Sequence, residues 1–217
     1  CMRNCPFGAM MDKSQLVDVL KHILNNENVV AMYAPAIAGQ FKASSEQLEE
    51  GLQQAGFSKV YEVAKGADIT AALEAKEFEE RMARGEKLMT TSCCPAYVRA
   101  VHRHVPDLDP CISDTKSPMH YIAELAKKEN PGCVTVFIGP CLAKRREGMD
   151  DNNVDYVLSA EELAAYFTAK NIDLMQIDSE EKSESEKASK SGRNFAVSGG
   201  VANAVKLRLK DPSILRA

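Results

Sequence analysis

The chain has 217 residues, 45% of them hydrophobic, and a formal net charge of −4. That length suits one large domain, or a domain and a half, with a sizeable core, and the mild acidity offers nothing to nucleic acid or to an anionic membrane surface. No apolar run reaches the roughly 18 residues of a membrane helix, no secretory leader is legible at Cys1-Met2-Arg3-Asn4-Cys5-Pro6, and seven cysteines, an odd number, argue for metal or redox work in a cytoplasmic protein rather than a secreted disulfide framework.

Cys1-x-x-x-Cys5-Pro6 has the closing spacing of a bacterial ferredoxin cluster motif, so residues 1–11 read as the remnant of a cluster domain. An isolated thiol pair in a frayed end is the alternative. Asp12 or Ser14 opens a helix whose Leu16, Leu20, Ile23 and Leu24 share one face, ended at Asn25-Asn26. Residues 29–33 predict a buried strand, with the loop Ala34-Pro35-Ala36 behind it. Ser45 caps a helix through Leu48, Leu52 and Ala55, with Gly56 past its end. A short strand at 60–63 and the turn Gly66-Ala67-Asp68 lead into a helix from about Ile69 to Ala83, stopped at Gly85. Residues 88–92 read as a strand that delivers Cys93-Cys94-Pro95, and Pro95 suits the first turn of a helix through Val98, Val101 and His102. A helix over 118–128 ends at Asn130-Pro131-Gly132. A buried strand at 134–138 then leads into Gly139-Pro140-Cys141, and a further strand comes at 154–158. Ser159 with Glu162 forms a capping box for a helix through Leu163, Tyr166 and Phe167. Residues 179–192 hold five Ser, four Glu and three Lys and no large apolar side chain, which predicts a flexible linker. Phe195-Ala196-Val197-Ser198-Gly199-Gly200-Val201 and a short helix to Leu209 read as the start of a second lobe.

Strands alternating with longer helical stretches predict an α/β fold, a parallel sheet with helices on both faces, from strands near 29–33, 60–63, 88–92 and 134–138. Two of these strands end in a cysteine beside a proline, so both thiols are expected at the carboxyl edge of the sheet, where α/β proteins bind ligands. A helix N-terminus lowers a nearby thiol pKa, which predicts a thiolate at the Cys93-Cys94 pair. Cys93-Cys94 with Cys141 has neither the paired C-x2-C units of a zinc finger nor the thioredoxin C-x-x-C. By itself the vicinal pair equally suits small buried thiols.

The surrounding residues say more. Thr91-Ser92-Cys93-Cys94-Pro95 and Gly139-Pro140-Cys141-Leu142-Ala143-Lys144 resemble the first two signature motifs of the iron-only (FeFe) hydrogenase catalytic domain. Ala34-Pro35-Ala36, Gly66-Ala67-Asp68-Ile69-Thr70, Lys116-Ser117-Pro118 and Phe195-x-x-Ser198-Gly199-Gly200-Val201 match further blocks of that family in the same order, so the resemblance covers nearly the whole chain. It implies an H-cluster, a 4Fe-4S cluster bridged through a cysteine to a diiron subcluster carrying CO, cyanide and a dithiolate with a central amine. Cys94 and Cys141 match two of the four cluster ligands. Cys93 matches the thiol that passes protons to the bridging amine, and Lys144 the lysine that donates to a cyanide on iron. Pro35, Ala36 and Phe195 match positions lining the diiron pocket. Glu74, Glu77 and Ser113 match the carboxylates and hydroxyl of the proton path. Glu74 and Glu77 share one helix face, and a pair of solvated surface charges is their competing reading. His102, His104 and His120 read as surface or core residues, and Cys111 and Cys133 as ordinary thiols.

Three departures point to a sensory branch of the family. Gly139, Ala36 and Tyr97 stand where its best-studied enzymes carry Met, Ser and Trp. The family's third motif, which supplies two further cysteine ligands, is not among these residues. The chain therefore reads as the remnant 1–11, an N-terminal lobe 12–178, a linker 179–193 and the start of a second lobe 194–217. By itself it is expected to be inactive and to hold no cluster. It is further expected to self-associate, or to fold residues 194–215 over the site. The parent protein is expected to interconvert H2 with protons and electrons, fed by a ferredoxin-type donor or an upstream cluster domain, in the cytoplasm of an anaerobe. A hydrogen-sensing module and a non-hydrogenase iron–sulfur relative of the same fold are the other readings.

Overall fold

A computed structural model describes residues 6–7, 12–37, 39–179 and 187–215. Cys1 and Cys5, and with them the cluster motif expected in residues 1–11, lie outside that set. Four strands, β1 (Val29–Tyr33), β2 (Lys59–Glu62), β3 (Val134–Gly139) and β4 (Tyr156–Ser159), form one parallel sheet in the order β2-β1-β3-β4. Val30 sits opposite Lys59, Val29 opposite Val134 and Val136 opposite Tyr156. The helices, in chain order, are α1 (Leu16–Leu24), α2 (Ser45–Gln54), α3 (Ala64–Ala83), α4 (Pro95–His104), α5 (Pro118–Glu129), α6 (Ala143–Met149), α7 (Ala160–Ala169), α8 (Lys190–Arg193) and α9 (Gly200–Lys206).

Every residue of β1 is buried, as a parallel sheet covered on both faces requires. The two-residue alternation of a strand then sorts the core. Ala31, Tyr33, Val136, Ile138 and Leu158 meet Val19 of α1, Leu52 of α2 and Leu163 of α7 on one face. Val30, Met32, Phe137 and Val157 meet Met119, Ile122 and Ala126 of α5 on the other. Outside α5 lies α3, whose Ala75 and Phe78 pack with Val205 of α9 and Leu209 in a third cluster. Helix α3 starts at Ala64, earlier than the start expected near Ile69, and so contains Gly66. A Cβ at Gly66 would run into the Pro118 carbonyl, so the glycine serves close α3–α5 approach rather than a turn. The capping box of α2 is built on Ser44 and Gln47, one residue before the serine expected from sequence, and that of α7 on Ser159 and Glu162.

Two expectations are corrected. Residues 88–92 do not join the sheet, and the fourth strand is 156–159. Thr90 makes a single parallel bridge to Ile112, with Thr90 N–H on Cys111 O at 2.7 Å and Ser113 N–H on Thr90 O at 2.8 Å. The run lacks the large side chains that a central strand inserts on both faces, and Leu88 is exposed. Residues 187–193, expected within the flexible linker, are folded onto α3 and β2. Ser189 caps α8 and donates to Asp68, and the Arg193 guanidinium reaches both Glu62 oxygens at 2.6 and 2.9 Å. Composition carries no trace of these pairings, which need partners more than a hundred residues upstream.

Candidate functional site

The carboxyl ends of β1 and β3 are adjacent in the sheet, so the turns that leave these two strands are brought together. Behind β1, Pro35–Ile37 forms a single 3₁₀ turn, and Ala34 N–H still bonds Ile138 O at 2.8 Å. Behind β3, Pro140 and Cys141 lead into α6. The Cys93-Cys94 turn arrives at the same edge from outside the sheet. Its run is tied to α3 by the Ser92 amide on Glu74 Oε1 at 3.3 Å, and to residue 115 by the Ser92 hydroxyl on the Thr115 carbonyl. Cys94 is the N-cap of α4 with extended backbone, and Pro95 is the first helical residue. Lys144 Nζ donates to Cys93 O at 3.3 Å and so joins the two cysteine-bearing turns.

Between these turns lies a cleft of about 190 Å³ with a largely apolar wall, including Pro35, Ala36, Phe137, Cys93, Cys141 and Phe195. Among the described residues, Lys144 is the one charged side chain lining it. The C-terminal segment supplies Phe195, Ala196 and Val201 to the cleft wall, whereas Val205, Leu209 and Leu215 further along pack against Ala75 and Phe78 of α3. Of the five free thiols among the described residues, Cys94 and Cys141 are exposed, Cys93 and Cys111 half-buried and Cys133 buried.

Behind Cys93 the polar groups continue inward. Glu74 is fully buried, and its Oε2 has no hydrogen-bond partner. Burial, with a smaller contribution from the Glu77 charge, pushes its carboxyl up from 4.5 to about 7. Glu77 accepts from Ser113 Oγ at 2.5 Å, Thr115 Oγ1 at 3.0 Å and the Asp114 amide at 3.0 Å. Arg81, one turn along α3 and 5% exposed, pairs with Glu77 at 2.7 Å and donates to the Pro110 and Ile112 carbonyls. Burial works against the Glu77 charge, but these hydrogen bonds and the guanidinium together hold its carboxyl below the usual range. The solvated-surface reading of Glu74 and Glu77 is thereby excluded.

The expected thiolate at Cys93 is corrected. Burial, and after it the charge of the nearby Glu74 carboxylate, push this thiol up, against the smaller lowering effects of Thr91 and Lys144. The Cys93 thiol donates to Thr91 Oγ1 at 3.8 Å, and the Glu74 carboxyl is near enough to act on it through its charge without a hydrogen bond between them. Arg81, Thr115 and Glu147 carry no expectation from sequence, and Ser92 enters there only as a member of its motif. Arg81 alone left a legible signal, an arginine four residues beyond Glu77 on one helix face.

The side chains at this edge fit the groups that the motifs imply in part. An apolar pocket with one ammonium in its described wall suits a compact, anionic diiron unit, and the exposed thiols of Cys141, in that wall, and of Cys94, next in sequence to Cys93, suit iron. A cubane takes four thiolates, of which Cys94 and Cys141 are two. Among the described residues, no group of three or more His, Cys, Asp or Glu side chains converges to hold a metal ion, and no helix is long and apolar enough to cross a membrane.

At the carboxyl edge of this parallel sheet, Cys93 and Cys141 line an apolar pocket that has Lys144 in its wall, the arrangement that the two cysteine motifs lead one to expect. The profile of the iron-only hydrogenase large subunit, C-terminal domain, matches residues 27–214, and the chain belongs to that family. It is 28% identical to iron hydrogenase 1 of Clostridium pasteurianum over 95% of this chain and 41% of that one. It is also 28% identical to the NADP-reducing hydrogenase subunit HndD of Solidesulfovibrio fructosivorans, over 94% of this chain and 40% of that one. A variant of the FeFe-hydrogenase HydA1 from Chlamydomonas reinhardtii superposes with a TM-score of 0.74 at 25% identity, covering 90% of this chain and 57% of the other. The chain thus spans about two-fifths of the length of these curated relatives.

Proposed function

We propose that the chain is the N-terminal lobe (12–178) and the start of the second lobe (194–217) of an iron-only hydrogenase catalytic domain, joined through 179–193 and preceded by a cluster remnant in 1–11. In the completed domain this lobe takes part in the reversible conversion of two protons and two electrons to H2. The observation that carries this reading is the meeting of Cys93, Cys141 and Lys144 around one apolar cleft with buried Glu74 behind it. Cys94 and Cys141 would hold iron of the 4Fe-4S cluster, and Pro35, Ala36 and Phe195 would exclude water from the cleft. When bound, the H-cluster supplies the redox-active iron at which hydrogen is made or split. Lys144 would present its ammonium to an anionic group bound in the cleft. Cys93 holds a proton beside it, and Glu74, Ser113 and Glu77 relay protons between Cys93 and the surface, where Arg81 keeps Glu77 oriented. Electrons come from a ferredoxin-type donor or an upstream cluster domain, and the free thiols suit a reducing, anaerobic cytoplasm.

Hydrogen sensing is the second reading, motivated by Gly139 and Ala36 at positions where the family's best-studied enzymes carry Met and Ser. A Cβ at Gly139 would stand 2.9 Å from the Phe137 ring and 3.1 Å from Ala34, so the ring fills space that a larger residue would need next to the cleft. The deciding experiment is Cys93→Ala in the completed domain loaded with its H-cluster. Hydrogen evolution from reduced viologen should stop while the cluster's electron paramagnetic resonance signal persists. Loss of that signal would make Cys93 a ligand and refute the relay assignment. Turnover that is slow even in the wild type, with an H2-dependent change in cluster redox state, would favour sensing.

A further inference from the structure

Glu147 has none of the roles assigned above, yet three elements meet on it. Its Oε2 accepts from Lys144 Nζ at 2.6 Å within α6, and its Oε1 accepts from the Ser117 hydroxyl. Ser117 is the N-cap of α5 with the extended backbone of a cap, φ −73° and ψ 161°, but its side chain caps nothing. A serine there ordinarily accepts from a first-turn amide. This hydroxyl, 5% exposed, is turned to the Glu147 carboxylate instead. Lys144 in turn donates to Cys93 O at 3.3 Å. One continuous chain of hydrogen bonds therefore runs from the start of α5 through α6 to the turn that carries Cys93.

A lysine and a glutamate three apart on a helix are usually solvated and contribute little. Here the side chains are only 13% and 21% exposed, and the ammonium stands in the wall of the apolar cleft. An ammonium has three N–H donors on a flexible four-carbon stem. Two are taken, by Glu147 and by the Cys93 carbonyl, which removes most of the stem's rotamer freedom. The third remains for an anionic group in the cleft.

We propose that Glu147, braced by Ser117, is a positioning residue that fixes the Lys144 ammonium so that its one remaining N–H serves an anionic ligand of iron in the cleft. The proposal rests on the hydrogenase reading for the identity of that ligand, but not for the geometry.

The test has two arms. In the protein without iron, the acylation rate of Lys144 by an amine-reactive ester is read by peptide mass spectrometry, with Lys127, paired to Asp155 at 2.5 Å, as internal reference. Loss of a charge-assisted bond should raise the Lys144 rate about tenfold in Glu147→Gln. Ser117→Ala should raise it less, and Glu147→Asp should restore part of the protection. In the completed domain loaded with the diiron unit, Glu147→Gln should shift the infrared cyanide bands in the same direction as Lys144→Met, by a smaller amount. A Lys144 rate within about twofold of wild type in both Glu147→Gln and Ser117→Ala, against the tenfold expected, would overturn the proposal. So would unshifted cyanide bands. If wild type itself shows no cyanide bands on loading, the hydrogenase reading fails, and the acylation ratio decides the role of Glu147 by itself.

Discussion

Glu74 is the residue whose environment departs furthest from its chemistry. A fully buried carboxyl with one oxygen unpartnered is costly when charged, and its titration near 7 records that cost. Because its folded pKa is raised, the native state binds the proton more tightly than the unfolded chain. Its contribution to stability is therefore greatest below about pH 4.5 and falls as pH rises towards 7. The shift is worth at most roughly 3–4 kcal/mol, at about 1.4 kcal/mol for each pKa unit. Glu74→Gln keeps the shape and removes the charge. Denaturant unfolding of the variant and the wild type should differ little at pH 4.5. At pH 8 the variant should be the more stable by about 1–3 kcal/mol. Equal stability at pH 8 would mean that water or a cation already satisfies Oε2. Gly139 is the other residue with a definite expectation. Gly139→Met must displace the Phe137 ring, and overpacking of this kind costs about 1–3 kcal/mol, readable as a lower unfolding midpoint.

At the scale of elements, α3 is the hinge between core and site. Its inner face packs on α5, its middle carries Glu74 and Glu77, and its first turn anchors the C-terminal segment. Asp68 accepts from the Ser189 amide and hydroxyl and from Arg208 Nη2 at 2.6 Å, and a Cβ at Gly192 would strike the Ala64 carbonyl. The cleft wall formed by Phe195, Ala196 and Val201 is held in place by these contacts and by Arg193 on Glu62. Asp68→Ala removes three hydrogen bonds and leaves Arg208 without its carboxylate. The Asp68–Arg208 pair is only about three-quarters buried, so its loss is discounted to about 1–2 kcal/mol. Residues 187–209 should then become about tenfold more sensitive to limited proteolysis, while α1 and the sheet stay protected. Uniform loss of protection would mean that the segment and the sheet unfold as one unit.

For the whole molecule, one sheet edge decides what can be bound. Parallel strands bring the ends of β1 and β3 side by side, and the Cys93-Cys94 turn closes on them through Lys144. Leu142, Met149, Val197 and Leu207 are exposed, as single apolar side chains on a protein surface commonly are. Reconstituted anaerobically with iron and sulfide, the chain alone should stay nearly colourless, because two exposed thiolates cannot complete a cubane that takes about four. About four irons on every chain would show that the lobe holds a cluster by itself. About four irons shared by a dimer, with the mass measured by sedimentation, would mean that two copies pool Cys94 and Cys141.

Much of this fold was legible in sequence because it depends on local patterns. The alternation of apolar strands and amphipathic helices dictated a parallel α/β sheet, and the capping serine at 159 and the glycines at 56 and 85 marked helix ends through short-range chemistry. The cysteine motifs and Lys144 were visible because chemistry at strand ends needs particular residues in a fixed order. Tertiary structure alone decided the rest. Residues 88–92 look like a strand, but a sheet accepts only what can pack on both faces, and Tyr156–Ser159 does so instead. The serine-rich stretch looks unstructured until Asp68 and Glu62 stand opposite Ser189 and Arg193. The upward shift of Cys93 and the pairing of Glu147 with Ser117 and Lys144 depend on burial and on groups distant in sequence. Electrostatics in a low-dielectric interior are set by what surrounds a charge in space, and order along the chain does not record that.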